Sequence, residues 1–193
     1  MLEHGREFAQ ICAEVLPLPE PVFEFGSFLV EDQPVEADLR SMFAGREFVG
    51  ADMRPGPGVD RILDLHALDL PAGSVGTALL FDTLEHVERP WIAVAELHRV
   101  LAPDGVLVLT VPFNFAIHAH PDDYWRFTPA GVTSLLRPFA ETYVRPVGLA
   151  DDPVTVLAVA TRSPLSPAVW SRLDAALAPR IALWNAIVES LPS

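Results

Sequence analysis

Seven short apolar runs constrain the fold of this chain more than any other feature. They lie at 22–25, 47–51, 61–65, 77–81, 105–111, 143–149 and 154–161. The runs are nearly continuous instead of alternating with polar residues, which is typical of strands that helices cover on both faces of a parallel sheet. Since helical patterns separate the runs, the sequence predicts an α/β fold with a doubly wound, Rossmann-like sheet of about seven strands.

The last two runs are joined by a connection that is too short for a parallel arrangement. Only Ala-Asp-Asp at 150–152 and the following Pro153 lie between them, whereas a crossover between parallel strands needs about a dozen residues. We therefore predict an antiparallel hairpin, with the last strand reversed. Ordinary dinucleotide-binding folds end in parallel strands, so this reversal separates two classes of nucleotide-using proteins.

Helical patterns are clearest at 90–101 and after Thr128, which suits an N-cap. The predicted inner face of the first helix comprises Trp91, Val94, Ala95, His98 and Leu101. The chain is predicted to be a single domain over 1–193, with an N-terminal helix at 1–20, a core at 21–162 and a helical extension at 163–193. Because Pro179 interrupts the extension, we expect two short helices or one kinked helix. Packing on the domain's own core is favoured there over a homodimer surface.

Composition indicates a globular domain, with 50% hydrophobic and 20% charged residues in 193. No apolar stretch approaches the roughly 18 residues of a membrane span, and no secretory leader pattern is visible. We expect a soluble, cytoplasmic protein without a membrane partner. The net charge of −13 disfavours nucleic acid as a partner. The single cysteine, Cys12, falls on an apolar helix face and is interpreted as packing.

Polar residues follow four successive predicted strands. They are Glu24, Gly26 and Ser27 after the first, Asp52 after the second, Asp64 after the third, and Asp82 and Thr83 after the fourth. Ligands of open α/β sheets bind beyond these carboxyl ends, so the ordered series predicts a nucleotide site. Phe28 stands where a second glycine of a nucleotide-binding turn is expected. The chain also lacks G-x-G-x-x-G and Tyr-x-x-x-Lys, which argues against a dinucleotide oxidoreductase.

A second constellation is the segment NFAIHAHPDDYWRFTP, which follows the fifth predicted strand. His118 and His120, with Asp122 or Asp123, could bind a metal, but no metal is predicted because the geometry of a loop is not fixed by its sequence. A structural interpretation is a lid in which Arg126 pairs with one of the two aspartates. Placed over the nucleotide site, the same residues could also receive a substrate.

Five motifs resemble those of class I S-adenosylmethionine-dependent methyltransferases, in the same order and over roughly residues 20–162. They read VFEFGS, FVGADM, ILDLHALDLP, LLFDTLEHV and AELHRVLAPDGVLVLTVP. The last is the most specific, since a helix of the form E-x-x-R-V-L precedes P-x-G and a hydrophobic strand. The resemblance is closest to the small-molecule, methyltransferase type 11-like branch, where EH follows the fourth strand and DYWRFTP the fifth. It implies a reversed seventh strand, as the hairpin does.

The resemblance also implies a cofactor, S-adenosyl-L-methionine, and the residues that hold it. These are Glu24, Gly26 and Ser27 at the methionine end, Asp52 and Met53 at the ribose, Asp64, Leu65 and His66 at the adenine, and Asp82 and Thr83 beneath the sulfonium. Two departures from the family pattern bear on this site. Phe28 must point away from the cofactor or narrow its site, and MRPGPGV is too short for a crossover helix.

The predicted function is methyl transfer to an oxygen, or less favourably a nitrogen, of a small-molecule acceptor. A hydroxyl acceptor needs a base, and a histidine with a pKa of about 6.5 suits that role. We predict His118 or His120 as the base, with Asp123 as its orienting partner. The residues predicted to shape the acceptor pocket are His86, Tyr124, Trp125 and Arg126. The alternative function is a non-catalytic, methyltransferase-like binding module with an altered first motif.

Overall fold

The computed structural model describes residues 3–30, 38–118 and 121–190. Its strands are β1 (Val22–Phe25), β2 (Phe48–Asp52), β3 (Arg61–Ile62), β4 (Val75–Phe81), β5 (Leu101–Pro112), β6 (Glu141–Gly148) and β7 (Pro153–Thr161). Its α-helices are α1 (Glu3–Val15), α2 (Pro90–Val100), α3 (Pro129–Leu135) and α4 (Pro167–Ser190).

The strands form one seven-stranded sheet in the order β3-β2-β1-β4-β5-β7-β6. Strands β1 to β5 run parallel to one another, whereas β7 is antiparallel to both β5 and β6. The predicted α/β fold and the reversed last strand are both confirmed. The β6–β7 hairpin pairs Gly148 with Pro153, so the connection is as short as the sequence indicated.

Both faces of the sheet are buried, which explains the nearly continuous apolar runs. Successive residues of a strand point to opposite faces, and in β4 Leu79 belongs to one core cluster while Leu80 belongs to the other. The first cluster packs beneath α2 and α3, and includes Leu97 and Leu136. The second packs beneath α1 and α4, and includes Phe8.

The inner face of α2 differs from the prediction. The buried side chains are Pro90, Ala93, Val94, Leu97 and Val100, whereas Trp91 is 54% exposed and Ala95 is exposed. The predicted face is therefore wrong at Trp91 and Ala95 but confirmed at Val94 and at Leu101, which is fully buried where β5 begins. The stripe that meets the sheet is rotated toward the small and aliphatic residues. Trp91 instead packs edge-on against Trp125, outside the core.

The third apolar run forms a much shorter strand than predicted. Only β3 pairs, at the edge of the sheet, and Ile62 is 62% exposed there. Beyond it the chain turns, and Leu63 and Leu65 pack into the first core cluster instead of continuing the strand.

The C-terminal extension is one helix, α4, with Pro179 inside it. Leu173, Leu177 and Trp184 are buried in the second core cluster. The indole nitrogen of Trp184 donates a hydrogen bond to Glu7 of α1 at 2.9 Å. These contacts support packing on the domain's own core, and a homodimer through this helix stays a prediction. None of the described helices is long and apolar enough to cross a membrane.

Candidate active site

A cavity of about 570 Å³ opens at the carboxyl ends of β1, β2 and β4. Its wall contains every residue predicted to hold the cofactor, namely Glu24, Gly26, Ser27, Asp52, Met53, Asp64, Leu65, His66, Asp82 and Thr83. His86, His118 and Tyr124 line the same cavity. Its volume lies within the range of small-molecule and cofactor sites, and its position is the one at which open α/β sheets bind ligands.

The turn after β1 lets a ligand approach the backbone closely. Gly26 has a φ of 86°, and a Cβ placed there would lie 2.3 Å from the Thr83 hydroxyl oxygen, so only glycine fits. Glu24 is 8% exposed, and burial, reinforced by the charge of Asp38, raises the pKa of its carboxyl to about 8. The hydroxyl oxygen of Ser27 is buried without a hydrogen-bond partner among the described residues. These groups are poised for a polar ligand.

The acids after β2 and β3 each keep one oxygen outside the local hydrogen bonds. Asp52 is 9% exposed, and its Oδ1 accepts a hydrogen bond from the backbone N–H of Arg54 at 2.9 Å. Asp64 Oδ1 accepts from the backbone N–H of His66 at 2.8 Å, and this bond lowers the pKa of Asp64. Both carboxylates are thereby oriented while Oδ2 stays available to a ligand.

Phe28 forms part of the cavity wall instead of pointing away from it. Its ring lies against Gly56, where an added Cβ would be 2.1 Å from the ring carbon Cε2. The guanidinium of Arg54 lies over the ring, 4.5 Å from its centroid. No helix forms between β2 and β3, as the short connection predicted. The residue that replaces the motif glycine is therefore accommodated by a glycine of the facing loop.

Asp82 ends β4 in a left-handed conformation, with a φ of 47°. The Thr110 hydroxyl donates to Asp82 Oδ1 at 2.8 Å, and the Asp82 backbone N–H donates to Thr110 O at 3.1 Å. Non-glycine residues in this conformation cluster at functional sites. The two bonds hold the Asp82 carboxyl at the floor of the cavity.

Glu85 was missed as a site residue by the sequence analysis. Its side chain is fully buried, and neither carboxylate oxygen has a hydrogen-bond partner among the described residues. Burial, followed by the charge of Asp82, raises the pKa of Glu85 well above its usual range. The sequence signal was an acid between Leu84 and Val87, two residues that turn out to be buried.

Two histidines lie beside Glu85, with their rings edge to face and centroids 4.7 Å apart. The Nδ1 of His86 is 2.6 Å from the carbonyl oxygen of Asp122, so Nδ1 carries the proton and donates it. The Nε2 of His86 lies 3.8 Å from Glu85 Oε1. The Nδ1 of His118 is 3.2 Å from Asp123 Oδ2, which also accepts the His118 backbone N–H at 2.9 Å.

An Asp123–Arg126 pair closes the loop that carries His118. Arg126 binds both carboxylate oxygens of Asp123, at 2.5 and 2.7 Å, and donates to the carbonyl oxygens of Phe115 and Ala116. This pairing lowers the pKa of Asp123 well below its usual range. Arg126 thus clamps the loop, as the lid interpretation expected.

Three of the predicted catalytic and acceptor residues are not brought to the cavity wall. Trp125 donates from its indole nitrogen to Val87 O at 3.1 Å, and Arg126 is occupied by the clamp. Asp123 contacts His118 but is not itself part of the wall. His120 lies outside the described residues.

The charge of the wall suits a cationic cofactor. Among the described residues, seven carboxyl groups line the cavity, those of Glu24, Asp52, Asp64, Asp82, Glu85, Glu88 and Asp122, against one guanidinium, that of Arg54. S-adenosylmethionine carries a sulfonium and an ammonium, and opposite charges nearby favour both. The buried Ser27 hydroxyl and the space kept by Gly26 also fit a ligand at this turn.

A sequence family described as a methyltransferase domain matches residues 46–109, which run from the start of β2 into β5. This match, over about a third of the chain, and the sheet order with its reversed last strand indicate the fold of the class I S-adenosylmethionine-dependent methyltransferases. S-adenosylmethionine is the cofactor that the match indicates. No curated protein matches the sequence significantly.

Solved structures share the fold of this chain at low sequence identity. The 1,6-didemethyltoxoflavin-N1-methyltransferase of Burkholderia thailandensis, solved with S-adenosylhomocysteine, superposes with a TM-score of 0.62 at 18% identity, covering 83% of this chain and 79% of that one. A possible histamine N-methyltransferase of Thermotoga maritima superposes with a TM-score of 0.56 at 17% identity, covering 83% of this chain and 92% of that one. The YcgJ protein of Bacillus subtilis gives 0.60 at 13%, covering 84% and 100%.

Proposed function

We propose that this methyltransferase transfers a methyl group from S-adenosylmethionine to an oxygen atom of a small-molecule acceptor. One observation carries the proposal: the residues predicted to hold the cofactor line a single cavity together with His86 and His118, which were predicted to meet the acceptor. Transfer requires both molecules in one space with the reacting atoms aligned, and this proximity supplies much of the rate.

The cofactor would occupy the part of the cavity next to β1, β2 and β3. Glu24 would face its ammonium group, Asp52 the ribose hydroxyls, and Asp64 with the Leu65 and His66 backbone the adenine. When bound, the cofactor supplies an electrophilic methyl group on a positively charged sulfur. Asp82 and Thr83 would lie beneath that sulfur, where the Asp82 carboxyl favours the positive charge.

A small acceptor is supported by the size and charge of the molecule. The cavity of about 570 Å³ has to hold the cofactor as well, and the net charge of −13 opposes an RNA or DNA acceptor. The structural relatives from Burkholderia and Thermotoga are named for nitrogen methylation of small molecules. They support an acceptor of this size, and they make nitrogen the second candidate for the methylated atom.

His118 is the residue that we propose to activate the acceptor oxygen, with Asp123 as its positioning partner. Asp123 contacts both the backbone N–H and the ring Nδ1 of His118, so the ring orientation is fixed. His86 and Tyr124 would border the acceptor. Oxygen is favoured over nitrogen because a neutral amine is nucleophilic without help, whereas a hydroxyl gains from an activating group.

Calorimetric titration with S-adenosylmethionine and S-adenosylhomocysteine tests the cofactor half of the proposal. We expect both to bind, and binding of neither would overturn it. A methyl-labelled cofactor offered with pools of hydroxyl-bearing and amine-bearing metabolites tests the acceptor half. Label only in amines would move the assignment to nitrogen, and binding without any turnover would favour the non-catalytic alternative.

Once an acceptor is known, His118→Ala should lower kcat by about 100-fold or more, the usual contribution of an activating group. His120→Ala is the matched comparison, because the sequence predicts either histidine for this role. Two fully active variants would remove both residues from the mechanism.

A further inference from the structure

Three side chains of metal-binding type converge at the acceptor end of the cavity. Glu85, His86 and His118 each place one possible ligand atom within 4.8 Å of the others. No second group of this kind occurs within residues 3–30, 38–118 and 121–190. We propose that Glu85, His86 and His118 bind a divalent first-row transition-metal ion.

The first support is the condition of Glu85. A fully buried carboxyl group for which the described part of the chain offers no hydrogen-bond partner is costly, since buried polar groups are nearly always paired. An ion at this position would supply the missing partner. Asp82, whose charge also acts on Glu85, would gain from the same positive charge. The clustering of acids here is therefore explained by a cation that they share.

The second support is the hydrogen bonding of the two rings. Histidine ligands of metals donate their other ring N–H to a carbonyl or a carboxylate, which fixes the tautomer and the orientation of the ring. The Nδ1 of His86 donates to the Asp122 carbonyl at 2.6 Å, and the Nδ1 of His118 faces the Asp123 carboxylate at 3.2 Å. Both rings thus have the outer partners of metal ligands, and Nε2 carries the lone pair.

The ligand set selects the class of ion. Two imidazoles and one carboxylate suit Zn²⁺, Fe²⁺, Co²⁺ or Ni²⁺ better than Mg²⁺ or Ca²⁺, which prefer oxygen ligands. Bonds of about 2.0–2.1 Å in a tetrahedral site place ligand atoms about 3.4 Å apart. The possible ligand atoms lie up to 4.8 Å apart here, so binding one ion requires them to move by about 1 Å, which small side-chain rotations provide.

Three protein ligands leave a coordination position open in a tetrahedral site, as in catalytic metal centres. A hydroxyl of the acceptor bound there would lose its proton to water more readily, because the ion stabilises the alkoxide. His118 would then activate the acceptor as a ligand, in place of the base role predicted from the sequence. This catalytic use rests on the proposed function, whereas metal binding itself does not.

The test is titration of tag-free, chelator-treated protein with Co²⁺, followed by absorption, and with Zn²⁺, followed by calorimetry. We expect one ion per chain and visible bands typical of nitrogen and oxygen ligands. His86→Ala and His118→Ala should each lower affinity by more than the roughly 10- to 100-fold that loss of an outer partner costs, and Asp123→Asn should fall within that range. Unchanged affinity in both histidine variants, or no binding by the wild-type chain, would overturn the proposal.

His98→Ala is the matched control, because His98 packs on Phe139 away from the cavity and should leave metal affinity unchanged. Glu85→Leu adds a second readout that a misfolded variant cannot imitate. Without metal it should raise the melting temperature, since it replaces a buried and unpaired carboxyl by an apolar side chain, and it should lose Co²⁺ binding. A lower melting temperature together with intact Co²⁺ binding would contradict the assignment.

Binding of S-adenosylhomocysteine to the metal-free protein separates the two proposals. Cofactor binding without metal binding would leave the proposed function standing and remove the metal site. Metal binding without cofactor binding would leave the metal site standing and remove the proposed function.

Discussion

The two ends of the cavity are built differently. At the cofactor end the acids follow strands, and Asp52 and Asp64 are each oriented by a backbone N–H two residues further on. At the end proposed for the acceptor, His118 lies on a loop that a partly buried ion pair holds in place. The first end takes its geometry from the sheet, whereas the second depends on a few side chains. A common fold can thus keep one cofactor while its loops change the acceptor.

Arg126→Ala tests this dependence with the largest expected effect. The variant leaves Asp123, with a side chain 2% exposed, without its main partner, and the free energy of unfolding should fall by about 3 kcal/mol. Urea unfolding measures it. Affinity for S-adenosylhomocysteine should change by less than about threefold, because that end is independent of the clamp.

The matched control is Arg145→Ala, since the Arg145–Asp174 pair is an ion pair with both side chains about half exposed. Arg145→Ala should lower the free energy of unfolding by about 1 kcal/mol or less. An Arg126→Ala variant as stable as Arg145→Ala would show that the loop does not need its clamp.

Asp52→Ala is the converse experiment at the cofactor end. Loss of hydrogen bonds to a charged group costs about 2 kcal/mol, so affinity for S-adenosylhomocysteine should fall by about 30-fold. Calorimetry measures it, and Co²⁺ binding should stay as in the wild-type chain. Asp52→Asn, which keeps one hydrogen-bond acceptor oxygen, should lose less affinity for S-adenosylhomocysteine than Asp52→Ala. Full affinity in Asp52→Ala would refute the assignment of this end.

The difference between an end built on strands and an end built on a loop also decides what the sequence could predict. Glu24, Asp52, Asp64 and Asp82 each follow an apolar run, and parallel strands bring their ends to one edge, so a local pattern sufficed. The reversed strand followed from the length of one connection. Elements defined by local periodicity and short loops were therefore predictable.

Features that depend on long-range packing were not. Glu85 and His118 lie close together because the backbone N–H of Tyr124 donates a hydrogen bond to the Glu85 carbonyl at 2.8 Å. This bond brings the loop that carries His118 over the turn at 84–86. Nothing in either segment alone encodes that bond. Trp91 was assigned to the core by periodicity, but the stripe of α2 that meets the sheet is set by the neighbouring side chains.

Glu24 makes the stability of the cofactor end depend on pH. Its pKa is raised from 4.5 to about 8 in the folded state, so between these values the folded chain holds a proton that the unfolded chain has lost. The free energy of unfolding should therefore decrease with rising pH over this window, by at most about 1.4 kcal/mol per pH unit. Urea unfolding at several pH values measures the slope.

Glu24→Gln should reduce that slope, since glutamine does not titrate, and the part that remains is expected from Glu85, whose pKa is raised as well. Glu14→Gln on an exposed helix position should leave the slope unchanged. A wild-type slope of opposite sign, or an undiminished slope in Glu24→Gln, would contradict the role of Glu24.

Phe28 provides the smallest and most local test. Its ring contacts Arg54 as a cation–π pair at 4.5 Å, which is worth about 0.5–1 kcal/mol at a half-exposed site. A double-mutant cycle of Phe28→Ala and Arg54→Ala should return a coupling of that size in urea unfolding. A coupling of zero would mean that the ring only fills space.

Gly56 sharpens the same point. In the wild-type chain Gly56→Ala would place a Cβ 2.1 Å from the Phe28 ring and should be destabilising. In the Phe28→Ala background that clash is gone and only the strain of a side chain at a φ of 159° remains, so the cost should be smaller. Equal costs in both backgrounds would mean that the two residues do not accommodate each other. The expected difference would instead show that the Phe28 ring fits at the β1 turn because Gly56 of the facing loop has no side chain.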